Sequence, residues 1–196
     1  MTLAHLATTV NLTARKIDVS DGSLIQELLA AASDAVRGAA GAPITRATST
    51  ITMWTEPSRR IELPTRPVHS VSNVTLDGEP VTDAVLRGSS LWRDRPWQET
   101  GAIPSELVLT MDHGYATVPG DVIDLVCSLV AAGLAAVEDG YDPKRLLAYE
   151  RIDDYQAGFR QGDNEVLSPM QLPPATRSWL RSRFGIAGAS VVGTVR

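Results

Sequence analysis

The chain has 196 residues, 43% of them hydrophobic and 21% charged. That is the composition of a water-soluble protein with enough length for one domain and its core. A net charge of −5 and a pI near 5.2 argue against a chain that grips nucleic acid by its phosphates over its whole surface. The single cysteine, Cys127, excludes an intramolecular disulfide and fits synthesis in a reducing compartment.

Taken in order, residues 3–17 (LAHLATTVNLTARKI) suggest a short helix, weakened by the β-branched Thr8, Thr9 and Val10. Residues 1–14 lack the basic and apolar regions of a secretory signal. Ser20 or Asp21 is placed to cap a helix over 22–39, where Ile25, Leu28, Leu29, Ala32 and Val36 share one face. Gly38, Gly41 and Pro43 are expected to stop it.

At residue 45 the pattern changes to short strands. ITRATSTITMWTE, RRIELP, HSVSNVTL and SELVLTMDH are β-prone, and Asp77-Gly78 is a hairpin signal. A looser hairpin is expected around Gly88. Helical spacing returns after Pro119, with Val122, Leu125, Val126, Leu129, Val130, Gly133 and Val137 on one broad apolar face. The apolar run 122–137 is shorter than the ~20 residues of a membrane span, and Asp124 interrupts it. Residues 139–168 are polar with spaced aromatics, and suggest an ordered arm or a short strand at IDDYQAGF. Pro173-Pro174 open a last helix that Gly185 ends, followed by a small apolar tail.

The expected fold is therefore α+β and mainly α. It is a single domain over 1–196, a small helical bundle from about 20–40, 119–138 and 173–184. A β-rich insertion fills about 45–116, and an extended C-terminal arm occupies 185–196.

Two sets of residues invite a functional reading. MDHGYATVPGDV packs Asp112, His113, Tyr115 and Asp121 into one stretch. A metal-dependent enzyme could use His113 with Asp112 or Asp121. Adjacent residues on a strand point to opposite faces, however, and Asp121 stands where a helix begins, so strand-end and helix-cap geometry explains the cluster more simply. Asp124, one turn on, is expected to serve the same helix end. Phosphate-loop, nucleophile-elbow and paired-cysteine motifs are missing from the sequence.

The second set is the Arg/Trp loop 87–97, in which Arg87, Arg93 and Arg95 interleave with Trp92 and Trp97. Arginine and tryptophan are interface hot-spot residues, and the same mixture suits single-stranded nucleic acid or a tryptophan pair covering the block's own core. The last helix carries Arg177, Arg181 and Arg183 on one side and Trp179, Leu180 and Phe184 on the other, with Ile186, Val191 and Val192 beyond. Candidate subunit or partner contacts are thus Trp92, Trp97, Arg93, Arg95, Trp179, Leu180, Arg181, Phe184, Ile186, Val191 and Val192.

Four segments in this order resemble the head–tail connector (adaptor) proteins of long-tailed bacteriophages. LIQELLAAASDAVRGAAGAPI is similar to the family's alanine-rich first core helix. RIELPTRPVHSVSNVTLDGEPV resembles its strand pair and Asp-Gly turn. LVLTMDHGYATVPGDVIDLVCSLVAAGL resembles its strand, His-Gly-Tyr turn and proline-entered helix. RIDDYQAGF and LSPMQLPPATRSWLRSRF are similar to its Asp-Tyr segment and terminal helix. The likeness covers about residues 20–185. Ala39-Ala40 stand before Gly41, where the family carries an aromatic or basic residue. The resemblance implies a structural virion protein, not an enzyme, without cofactor or metal. It implies a dodecameric ring beneath the portal protein, in the neck between capsid and tail. Such a ring is made in the host bacterial cytoplasm, passes genomic DNA without sequence-specific binding, and receives the next neck or tail-completion protein.

Overall fold

The computed structural model describes residues 3–101, 103–138 and 169–185. The protein is mixed α/β. Among the described residues, about 36% are helical and 26% in strands, arranged as four helices and two antiparallel sheets. The helices are α1 (Thr9–Ala14), α2 (Gly22–Ala40), α3 (Gly120–Glu138) and α4 (Pro174–Phe184). The strands are β1 (Ala47–Trp54), β2 (Arg60–Glu62), β3 (Val68–Leu76), β4 (Glu79–Pro80), β5 (Val85–Arg87), β6 (Ser90–Trp92) and β7 (Glu106–His113). The chain divides into two compact units. One comprises Met1–Ala4, Val36–Pro119 and Pro174–Arg196, the other His5–Ala35 and Gly120–Pro173.

In the helical unit, α1 is shorter than the segment 3–17 suggests. Thr8 caps it, accepting from the Asn11 N–H at 3.4 Å while the Asn11 side chain accepts from the Thr8 N–H at 2.9 Å. This reciprocal cap fixes the start at Thr9 and leaves Leu3 to His5 outside the helix. Asp21 caps α2, accepting from the Leu24 N–H at 3.1 Å, and Ser20 is engaged with Asp18 instead. Gly38 is carried inside α2, and the stop falls at Gly41, whose φ of +66° is the left-handed conformation a helix end needs.

Ile25, Leu29, Ala32, Val122, Val126, Cys127, Leu129 and Val130 are buried. A Cβ on Gly133 would lie 2.8 Å from the Leu28 and Met170 side chains, so this glycine marks a close approach to α2. Asp124 does not serve the N-terminus of α3. It accepts two hydrogen bonds from the Arg15 guanidinium, one at 2.8 Å from Nε, and ties α3 to the end of α1. Among the described residues, α3 alone has the length and apolarity of a membrane span, but its inner face is used as core.

The β-rich unit holds a four-stranded sheet, order β1-β7-β3-β4, and a three-stranded sheet, order β2-β6-β5. Period-two alternation puts Leu107, Leu109, Met111 and His113 of β7 on the buried face. Ile51, Ile61, Leu63, Leu91 and Trp97 join the β7 aliphatics in one core cluster drawn from both sheets. Asp77 and Gly78 both have positive φ, +51° and +84°, and make the tight β3–β4 turn that their sequence predicts. Helix α4 belongs to this unit. Leu180 and Phe184 are fully buried, and Phe184 meets Tyr115 edge-to-face at 5.7 Å.

Gly114 follows β7 with φ +88°, and a Cβ there would lie 2.4 Å from the Thr45 carbonyl oxygen. No side chain fits without moving backbone. Replacing Gly114 by Ala is expected to cost about 2 kcal/mol or more, read as a lowered midpoint in chemical denaturation.

Candidate interaction surfaces and the buried histidine

The MDHGYATVPGDV stretch separates into individual structural roles. Asp112 sits on the outer face of the sheet, where Arg46 donates to it from Nε at 3.1 Å and from Nη2 at 2.6 Å. That bonding holds the Asp112 carboxyl below the usual carboxylate range. His113, on the opposite face, is 1% exposed, with Nε2 3.0 Å from the Ser49 hydroxyl. Asp121 accepts from the Val122 N–H at 3.0 Å at the start of α3. The carboxylate of Asp112 is thus committed to a guanidinium, and the imidazole of His113 to a serine. Among the described residues, no group of three histidines, cysteines or acids is placed to hold a metal ion. Burial pushes the Cys127 thiol up, away from the reactive thiolate.

The Arg/Trp loop is divided between core and surface. Trp97 is 1% exposed and lies in the β core. Arg93 covers its ring, 4.9 Å from the centroid, and bonds Asp83 at 3.0 Å with only 7% of its side chain exposed. This pair is a packed lid over the core, so neither side chain is a free contact. Trp92 is half covered by Arg60, at 5.6 Å, and Arg95 extends outward with 75% of its side chain exposed. Only Trp92 and Arg95 of this loop's four candidates thus present surface.

The α4 candidates divide in the same way. Leu180 and Phe184 are core residues, Trp179 is partly exposed and Arg181 exposed. Arg183 does not stand on a separate basic side, because its guanidinium lies over both Trp179, at 5.4 Å, and Phe184, at 5.0 Å. Ile186, Val191 and Val192, like the IDDYQAGF segment, lie outside the described residues. Sequence reading missed Trp54, which is 64% exposed on β1, and Ile103, 88% exposed before β7. Trp54 stands in an alternating strand, and alternation does not say which face is covered.

No family model matches the chain, and no curated protein matches it.

Two predictions follow from this geometry. Trp97→Ala removes a ring from a filled core and is expected to cost about 3–5 kcal/mol in unfolding free energy, whereas Arg95→Ala leaves the denaturation midpoint in place. The second concerns His113, whose pKa is lowered by burial, with His69 pushing the same way and Asp112 opposing. Protonated, His113 would carry N–H donors on both ring nitrogens, and Nδ1 has no acceptor among the described residues. The folded state therefore binds this proton less readily than the unfolded chain. Its contribution to stability is present above the ordinary histidine pKa and is lost as pH falls below it. Denaturation midpoints measured from pH about 7 down to about 5 should decline, and His113→Gln should flatten that decline.

Proposed function

We propose that the protein is a structural virion component, a head–tail adaptor that assembles as a ring under a phage portal. The reading rests on the ordered resemblance of residues 20–185 to that family. The observation that carries it is the unit from β7 through Gly114 and Pro119 into α3. There a strand, a glycine turn that admits no side chain and a proline-entered core helix follow one another. The β-rich block set between two long helices supports the same reading. In this proposal α1, α2 and α3 form the small bundle of the subunit, and the β-rich block between α2 and α3 is its insertion.

The chemistry of such a protein is assembly. A closed ring needs two different, complementary surfaces per subunit, related by a rotation that closes. Exposed Trp92, Arg95, Trp179 and Arg181 are candidates for those surfaces, together with Ile186, Val191 and Val192. An acidic chain, with net charge −5, lines a DNA conduit without holding the DNA, since it offers few cations to displace counterions. No cofactor is required, and no turnover takes place. The partners are further copies of the chain, the portal protein and the next neck or tail-completion protein. The location is the neck of the particle.

Electron microscopy of the protein mixed with the portal of the same virus tests the reading. A ring of added density on the portal's outer end is expected, and a bare portal under conditions that preserve the particle neck would end it. Deletion of residues 186–196 is expected to leave a monomer that unfolds like the parent but is missing from purified heads. Normal particle incorporation of the deletion would remove the tail from the contact.

A further inference from the structure

Helix α4 is anchored on one side and open on another. Leu180 and Phe184 are fully buried, Phe184 packs on Tyr115, and the Phe184 carbonyl accepts from the Arg66 N–H at 2.9 Å. The helix is therefore seated firmly at its C-terminal end. On its outer side Pro174, Arg177, Ser178, Arg181 and Ser182 recur at i, i+3, i+4, i+7 and i+8, the spacing of a single helix face. These five residues line a cavity of about 500 Å³. That is the size of a site for a small molecule, roughly 300–1,000 Å³.

The charge on this face has one sign. The helix, PATRSWLRSRF, contains no aspartate or glutamate. Arg15, Arg46 and Arg93 each have a carboxylate partner, and Arg183 lies over two aromatic rings. Arg177 and Arg181 are exposed and have neither kind of partner among the described residues. Like charges one helical turn apart repel, and an anion held between them removes that repulsion.

The hydroxyls add to the donor set. Ser178, three positions before Arg181, has no hydrogen-bond partner among the described residues, so its O–H is free to donate. Ser182 donates to the Trp179 carbonyl at 2.9 Å and is already engaged. Two guanidinium forks and one hydroxyl thus face the cavity, with no acid opposing them among its lining residues.

We propose that this face of α4 binds a phosphate group, either free or carried as a monoester on a small molecule. Charge selects the ligand. A phosphate monoester carries about −1.5 to −2 near neutral pH, which two guanidinium groups offset. A carboxylate, or one phosphodiester of a nucleic-acid strand, carries a single negative charge and leaves one cation uncompensated. A long polyanion is further repelled by the chain's net charge of −5. Geometry agrees, because paired guanidinium N–H groups match phosphate oxygens and the Ser178 hydroxyl serves a third. The cavity exceeds a phosphate in size, and Pro174, which has no N–H, gives an apolar wall for the group attached to it. The site belongs to the free chain and stands independently of the adaptor reading.

Calorimetric titration of the full chain at low salt tests this with four probes: inorganic phosphate, glycerol 3-phosphate, acetate, and a short oligonucleotide without terminal phosphates. Both phosphates should bind at one per chain, and acetate and the oligonucleotide should bind at least tenfold more weakly. Arg177→Gln and Arg181→Gln should each weaken phosphate binding tenfold or more without moving the denaturation midpoint of the ligand-free protein. Ser178→Ala should weaken it less. Affinity should fall between pH about 7 and about 5, as the phosphate takes up its second proton near pH 6. Tighter binding of glycerol 3-phosphate would support a monoester as the ligand, and equal binding of the two would support free phosphate. No saturable binding of either phosphate would overturn the proposal. So would phosphate binding that both glutamine variants leave intact, or acetate or oligonucleotide bound as tightly as the phosphates.

Discussion

The double pairing of β7 is the constraint on which the β-rich unit depends. β1 runs along one side of it and β3 along the other, and its inner residues Leu107, Leu109 and Met111 are the floor of the shared core. The strand must end where Gly114 brings the backbone against Thr45, because three hydrogen bonds lock that corner. Gly114 donates to Pro67, Tyr115 to Ile44, and Arg46 to Tyr115. A side chain at residue 114 would collide with the Thr45 carbonyl and displace the backbone that makes them. Tyr115, held there, then offers its ring to Phe184, which brings α4 onto the same unit. One glycine position therefore sets the end of the central strand, the start of β1 and the seat of the last helix.

Three arginines among the described residues cover aromatic rings. Arg93 over Trp97, Arg60 over Trp92 and Arg183 over Trp179 and Phe184 each put a planar cation on an aromatic face. The stem of Arg93 excludes water from the core while Asp83 keeps its charge paired. Basic-plus-aromatic composition thus has a stabilising use that competes with any binding use. It explains why residues that read as a contact surface are in part the outer layer of a core. Trp54, 64% exposed on β1, has no such cover among the described residues.

The proposed assembly role makes its own demand on such a chain. A neck component must stay soluble and unassembled until its partner is present, and then exchange one set of contacts for another. In the proposed role the acidic charge keeps the chain soluble and leaves DNA unbound in a channel.

Much of the local structure was legible in the sequence. Helical spacing located α2 and α3, Pro173-Pro174 located α4, and Asp77-Gly78 and Gly88 located two hairpins, because each of these is decided by residues within a few positions of one another. The roles of Asp112 and His113 followed from strand alternation in the same way. The candidate contact residues were less legible. Sequence identified Trp97, Leu180 and Phe184 as large and apolar, but burial depends on which strand or helix lies above them, and those partners come from distant segments. In the sequence Asp124 looks like a helix-end charge, because its partner, Arg15, is 109 positions away. What the sequence by itself determined was therefore where elements begin, turn and end. Which face of each is covered, and which edge is left open, only the tertiary structure decided, because burial and pairing are made between residues far apart in the chain.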